Sequence, residues 1–188
     1  MKSKGILLVI SAPSGCGKST VVHRLMEKRS NIGFSVSATT RKPRTGEQDG
    51  KDYFFVTREK FDEMIAQDAF FEHAEYAGNC YGTPKEPVIK SLQEGRDIIL
   101  EIDVQGAFQV KKKLPEALLI FIMPPSFEEL ERRLVSRGTD SPEVIKVRLE
   151  TAKKECLVKD SFDHIVINDE VEKAVERIEK LIDNYRED

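Results

Sequence analysis

The segment from Ala12 to Thr20, APSGCGKST, constrains this chain more than any other. It follows the run GILLVI (Gly5 to Ile10), whose leucine and β-branched residues predict a parallel strand buried on both faces. The apolar period then changes. Val21, Val22, Leu25 and Met26 recur at helical spacing and predict a helix over 18–29. Strand, glycine-rich turn, Gly17-Lys18-Ser19 and helix together form the setting in which a phosphate-loop motif becomes a structural statement. The inward-pointing N–H groups of such a turn and the positive end of the helix cradle phosphate oxygens. On this reading Ala12, Pro13, Ser14, Gly15, Cys16, Gly17, Lys18, Ser19 and Thr20 bind a nucleoside triphosphate. Lys18 reaches its terminal phosphates and the Ser19 hydroxyl ligates Mg²⁺. Ala12 stands where the general motif has its first glycine, so that position needs a small side chain and not glycine's conformational freedom.

The 188 residues suffice for one domain, or one domain with an insertion. A net charge of −3 gives no bulk attraction to duplex DNA or anionic membrane, so neither nucleic acid nor membrane is an expected partner. No apolar run approaches the roughly 18 residues a membrane span requires. The start, MKSKGILLVIS, resembles a signal peptide only superficially, because its apolar run leads directly into the phosphate loop. Three cysteines, Cys16, Cys80 and Cys156, without C-x-x-C spacing point to a reducing compartment, and a cytoplasmic location is expected. Cys16 lies at a helix start beside Lys18, a position that favours thiolate, or it is simply a small loop residue.

Along the chain, GFSVSA (Gly33 to Ala38) predicts a strand, followed by a charged loop rich in Gly and Pro. In that loop Arg41 and Arg44 bracket Pro43, and Tyr53 opens a strand through Val56. Two guanidinium groups and a phenol suit a phosphate or carboxylate, although a solvated loop carries the same composition. Thr57 predicts a helix cap before Phe61, Met64 and Ile65. The alternating FFEHAEY (Phe70 to Tyr76), a turn at Ala77-Gly78 and Asn79 to Gly82 predict a small antiparallel meander. Thr83, with Pro84 at the first helical position, predicts a helix that Gly95 closes. DIILEID (Asp97 to Asp103) predicts a second buried strand. Glu101 and Asp103 at its carboxyl end are candidates to hold Mg²⁺, or to cap the helix expected over 105–113. Ala117 to Met123 predicts a third buried strand, and Ser126 with Glu129 a capping box. Arg132, Arg133, Arg137 and Arg148 surround the turn signal Gly138 to Pro142, an arrangement suited to a mobile lid or to surface pairing with nearby glutamates. Asp163 to Asn168 predicts the last buried strand and Glu170 to Tyr185 a closing amphipathic helix. His23, His73 and His164 have no ligand spacing.

The phosphate loop, SATTRKPRTGEQDGKDYFF, EIDVQG and RGTDS occur in one order, and with them the chain resembles the guanylate kinases from Ile6 to Tyr185. The resemblance implies an α/β phosphate-loop NTPase fold with a central parallel sheet between helical layers. It implies a core over 1–33 and 84–188, a lid at about 132–150, and an inserted GMP-binding domain over 34–83. It further implies transfer of the γ-phosphoryl group of ATP to GMP, and to dGMP, with Mg²⁺. Position by position, Arg41, Arg44, Tyr53 and Tyr81 correspond to the clamp on the GMP phosphate. Ser37, Glu72 and Thr83 correspond to the base readers, with Asp103 beside the nucleotide and Glu75, expected on the same strand face, as a rival to Glu72. Arg137 and Arg148 resemble the lid arginines that join Lys18, Arg41 and Arg44 in catalysis, while Arg133 and Asn168 fall at the ATP site. Glu101, where other members often carry aspartate, falls with Ser19 at the magnesium position. Two other readings remain open. A scaffold-type relative binds phosphopeptides without transfer, and a kinase on the same core accepts a different phosphorylated substrate.

Overall fold

The computed structural model describes residues 4–136, 138 and 140–187. Arg137, one of the expected lid arginines, lies outside them. A five-stranded sheet in the order β2 (Ile32–Phe34), β7 (Asp97–Glu101), β1 (Leu7–Ser11), β8 (Leu118–Met123), β9 (His164–Ile167) forms the centre. Its middle strand, β1 (Leu7–Ser11), is wholly buried and pairs in parallel with β7 (Asp97–Glu101) on one side and β8 (Leu118–Met123) on the other. Successive side chains leave a strand on opposite faces, so one short run serves two cores. Leu8 and Ile10 pack with α1 (Lys18–Lys28) and α7 (Val171–Glu187) through Val22, Leu25, Val175 and Ile178. Leu7 and Val9 pack with α3 (Lys85–Gln93) and α4 (Val104–Lys113) through Val88, Leu92, Ala107 and Val110. Each such Leu, Ile or Val contributes about 2 kcal/mol when fully buried. The connection after β1 runs to β2 on one side and the connection after β8 runs to the far edge on the other, so a crevice opens between β1 and β8 at their carboxyl ends, where the phosphate loop lies.

A second, four-stranded sheet has the order β4-β3-β6-β5, with β4 (Phe54–Phe55), β3 (Ala38–Thr39), β6 (Asn79–Pro84) and β5 (Phe70–Tyr76). Phe61 of α2 (Arg58–Ala66) stacks on Phe70 at 4.5 Å between centroids and fills the space beneath it. Thr57 caps α2 as expected, accepting the Lys60 N–H. Ala77 and Gly78 both take positive φ and close the β5–β6 hairpin. Helices α5 (Phe127–Ser136) and α6 (Pro142–Cys156) pack on each other through Leu130, Leu134, Ile145 and Ala152.

Several local expectations need correction. Gly33 to Ala38 is not one strand: β2 (Ile32–Phe34) joins the large sheet and β3 the small one, because the chain changes sheets between them. The small sheet is mixed rather than an antiparallel meander, since β3 and β4 run parallel. Pro84 ends β6 and only caps α3, and Thr83 uses its hydroxyl on Glu72. The Asp97 strand stops at Glu101, after which Asp103 caps α4 by accepting the Gly106 N–H at 2.8 Å. Only half of the capping box forms: Ser126 accepts the Glu129 N–H, but Glu129 turns to Arg132 and Arg133. The last strand, β9 (His164–Ile167), is at the sheet edge and only Val166 is buried. No described helix is long and apolar enough to cross a membrane.

Candidate active site

The loop after β1 wraps a cavity of about 350 Å³ lined by every residue from Ala12 to Thr20, with Asp103 and Glu155. Gly15 and Gly17 take φ of 90° and 87°, a conformation that side chains resist. At Gly15 a Cβ would also lie 2.6 Å from Leu134 Cδ2, so α5 packs directly on the loop. The Asn168 amide donates to the Cys16 carbonyl at 2.8 Å, and Arg133 reaches the carbonyls of Cys16 and Asn168. Both therefore brace the loop from outside. Arg148 of α6 donates to the Ser14 hydroxyl at 2.9 Å and pairs with Asp140. Lys18 extends across the cavity and donates to the Ile102 carbonyl at 3.2 Å. Burial pulls the Lys18 pKa below its ordinary value, while Glu101, Asp103 and Glu155 work against that shift. Ser19 donates to Glu101 at 2.5 Å.

Cys16 does not have thiolate character. Its side chain is buried, its Sγ donates to the Ile122 carbonyl, and burial pushes its pKa up to about 12. Desolvation outweighs both the helix end and the nearby Arg133.

A second cavity of about 290 Å³ is lined by Ser37, Tyr53, Glu72, Ala74, Tyr76, Tyr81, Gly82, Glu101, Ile102 and Asp103. The two cavities share Asp103, and Lys18 donates to a residue that lines the second. Glu72 is buried and accepts the Thr83 hydroxyl at 2.6 Å, so Thr83 aims the carboxylate from behind rather than lining the cavity. Burial raises the Glu72 pKa, against the hydrogen bond from Thr83. Glu75 is three residues along, on the other strand face, where it pairs with Arg58 in solvent.

Arg41 is held beside this cavity. Its NH1 and NH2 groups form a fork on Glu47 at 3.0 and 2.8 Å, NH1 also donates to the Lys42 carbonyl, and the Tyr53 ring lies 5.4 Å away. Of the five guanidinium N–H donors these bonds use three, leaving one on Nε and one on NH2 along a single edge. Arg44 contributes its backbone N–H to Glu47 at 2.7 Å while its side chain is exposed and does not line the cavity. Arg132 is on the surface with Glu129.

Glu47 and Glu155 were not legible as site residues. Glu155 accepts the Ser14 N–H at 3.4 Å from within a helix whose sequence looks like ordinary surface. Glu47's position three residues after Arg44 and six after Arg41 was the available signal. Among the described residues no cluster of three His, Cys, Asp or Glu side chains forms a metal cage. The oxygen pair Ser19 and Glu101 instead fits a hard cation that keeps most of its ligands from water and phosphate.

A family model described as guanylate kinase matches residues 4–185. A guanylate kinase of Lactococcus lactis is 53% identical over 190 residues, covering 100% of this chain and 93% of that protein. One from Caldanaerobacter subterraneus is 51% identical, covering 97% of this chain and 88% of its own length. The crystal structure of guanylate kinase from Anaplasma phagocytophilum superposes with a TM-score of 0.73 at 38% identity, covering 97% of this chain and 87% of that one. With a phosphate loop and a carboxylate-bearing second cavity sharing one wall, and with matches spanning nearly its whole length, the chain belongs to the guanylate kinase family.

Proposed function

We propose that the chain transfers the γ-phosphoryl group of ATP to GMP, and also to dGMP, in the cytoplasm. ATP occupies the core (1–33 and 84–188, with its lid at about 132–150), and GMP occupies the insertion over 34–83. The observation that carries this reading is the common wall. Asp103 lines both cavities and Lys18 ends there, so phosphates held on either side meet across it.

In this account an oxygen of the GMP phosphate attacks the γ-phosphorus in line, and the bond to the β–γ bridging oxygen breaks. The acceptor is already anionic near neutral pH, so no general base is needed. The demand is for positioning two polyanions and neutralising their charge. Lys18, Arg148 and Arg137 serve the triphosphate, with Arg133 and Asn168 bracing its loop. The free edge of Arg41, together with Arg44, Tyr53 and Tyr81, serves the GMP phosphate. Glu72 accepts the N1–H and 2-amino donors of guanine, with Ser37 and Asp103 beside it and Thr83 holding its carboxylate from behind. Mg²⁺ bound with ATP supplies charge neutralisation between the phosphates, and Ser19 and Glu101 are the residues that would hold it. Three free buried cysteines support a reducing compartment.

Lys18→Met tests the arrangement. Transfer should become undetectable in a coupled ADP-release assay while GMP binding, measured by calorimetry, stays within about 3-fold. Near-native turnover at saturating ATP would refute the assignment.

A further inference from the structure

Helix α4 turns one stripe of its surface toward β5, at Asp103, Gly106, Gln109 and Lys113, with helical spacing of three, three and four. At Gly106 a Cβ would lie 3.3 Å from Glu72 Oε2 and 3.2 Å from Ile102 Cδ1, so the helix comes as near the carboxylate as a glycine permits. Gln109 does something less usual for a helix side chain. Its Oε1 accepts the His73 N–H at 3.1 Å, and its Nε2 donates to the His73 carbonyl at 3.2 Å. This carboxamide presents the donor and acceptor that a neighbouring strand would offer. β5 is an edge strand, and Gln109 supplies a rung of the missing ladder. One turn on, Lys113 donates to the Phe70 carbonyl at 2.6 Å and to Asp68 at 2.8 Å.

Between these two anchors the pairing of β5 with β6 is irregular. Phe70 pairs with Pro84 and Glu72 with Thr83, so the register shifts at the step that carries Glu72. A bulge re-aims the side chain beside it, and β6 alone leaves that aim loosely fixed. α4 secures the strand on both sides of the bulge, at Phe70 and at His73.

We propose that Gln109 is a positioning residue for base selection. By pairing with the backbone of His73 it fixes the direction in which Glu72 presents its oxygens to the base. The inference rests on the reading of Glu72 as the guanine acceptor. A plain structural role, covering a strand edge, makes a different prediction: lower stability with base selection unchanged.

IMP separates the two, because it keeps the N1–H of guanine and lacks the 2-amino group. The ratio of kcat/KM for GMP to that for IMP therefore reports how well the carboxylate meets that second donor. In Gln109→Met, which keeps length and loses both hydrogen bonds, KM for GMP should rise about 3- to 10-fold and the GMP-to-IMP ratio should narrow comparably. KM for ATP should not move, and kcat at saturating GMP should fall by less than KM rises. In the Glu72→Gln background the same substitution should narrow the ratio no further. If Gln109→Met does not fold, Gln109→Glu keeps the shape and the acceptor for the His73 N–H, loses the donor, and should shift the ratio in the same direction. If Glu72→Gln narrows the ratio while the Gln109 variant that folds leaves it unchanged, the proposal is overturned and the reading of Glu72 survives. If Glu72→Gln itself leaves the ratio unchanged, both fall.

Discussion

Replacing Glu47 by Gln should weaken GMP binding without weakening ATP binding, although Glu47 lines neither cavity. Its carboxylate accepts three hydrogen bonds, two from the Arg41 guanidinium and one from the Arg44 backbone. Glutamine keeps the shape but turns one acceptor into a donor, which then faces an N–H of Arg41 or Arg44. A contrary effect works against this, because Glu47 neutralises the very cation that, on the proposed reading, meets the GMP phosphate. The donor count decides between them. Glu47 and Lys42 use three of the five N–H groups of Arg41, and the remaining two share one edge that no carboxylate takes, with the Tyr81 side chain near the guanidinium, so carboxylate and phosphate need not compete. What the substitution removes is the orientation of that edge. Loss of one bond, and of the charge behind the other two, from a preorganised loop corresponds to a rise in KM for GMP of about 10-fold. Stability should change little, since the loop has no part in the large core clusters. Steady-state kinetics with each substrate varied in turn provides the test. An unchanged KM for GMP, or parallel rises in both KM values, would refute the argument.

Two further predictions concern the core. Asp97 is buried at the start of β7, where it accepts the Ile6 N–H and two bonds from Arg186 NH2, so Asp97→Ala, which leaves the Ile6 N–H unpartnered while exposed Arg186 turns to water, should cost about 1–3 kcal/mol in urea unfolding; a loss below about 0.5 kcal/mol would contradict this. Cys16, held at about 12 when folded against an ordinary value of 9.0, binds its proton more tightly in the native state, so it favours folding below pH 9 and loses that contribution as pH rises toward 12. Stability of the native chain should therefore fall more steeply across this range than that of Cys16→Ala, by about 1.4 kcal/mol per pH unit, and equal slopes would count against a buried neutral thiol.

Where local chemistry and position coincide, the structure was legible in the residues. GILLVI followed by Gly17-Lys18-Ser19 carries strand, turn and helix in adjacent letters, and the buried runs around Ile99 and Ile120 announce the other central strands through their apolar continuity. What was not legible depends on chain reversal. GFSVSA has one pattern, but its two ends serve different sheets, a choice made by the distant strands β7 and β6. Thr83 before Pro84 carries a strong capping signal, and Glu72, eleven residues earlier, claims its hydroxyl. Glu155 and Gln109 sit on amphipathic helices at positions that composition marks as surface, and only the packing of those helices brings them to the site. Of the two readings open for Cys16, the small loop residue holds. Sequence shows the helix end beside it but not the burial that outweighs it.

The central claim is that Glu72, rather than the phosphate clamp, selects guanine. On the proposed reading Arg41 and Arg44 meet a phosphate common to all nucleoside monophosphates, and only the buried carboxylate distinguishes guanine's two donors from the acceptor that adenine presents at N1. The direct measurement is kcat/KM for GMP and AMP in the native protein, Glu72→Gln and Glu75→Gln. The account predicts a native preference of about 10⁴ or more, narrowed at least about 10-fold in Glu72→Gln and unchanged in Glu75→Gln. A preference that survives Glu72→Gln and collapses in Glu75→Gln would contradict it.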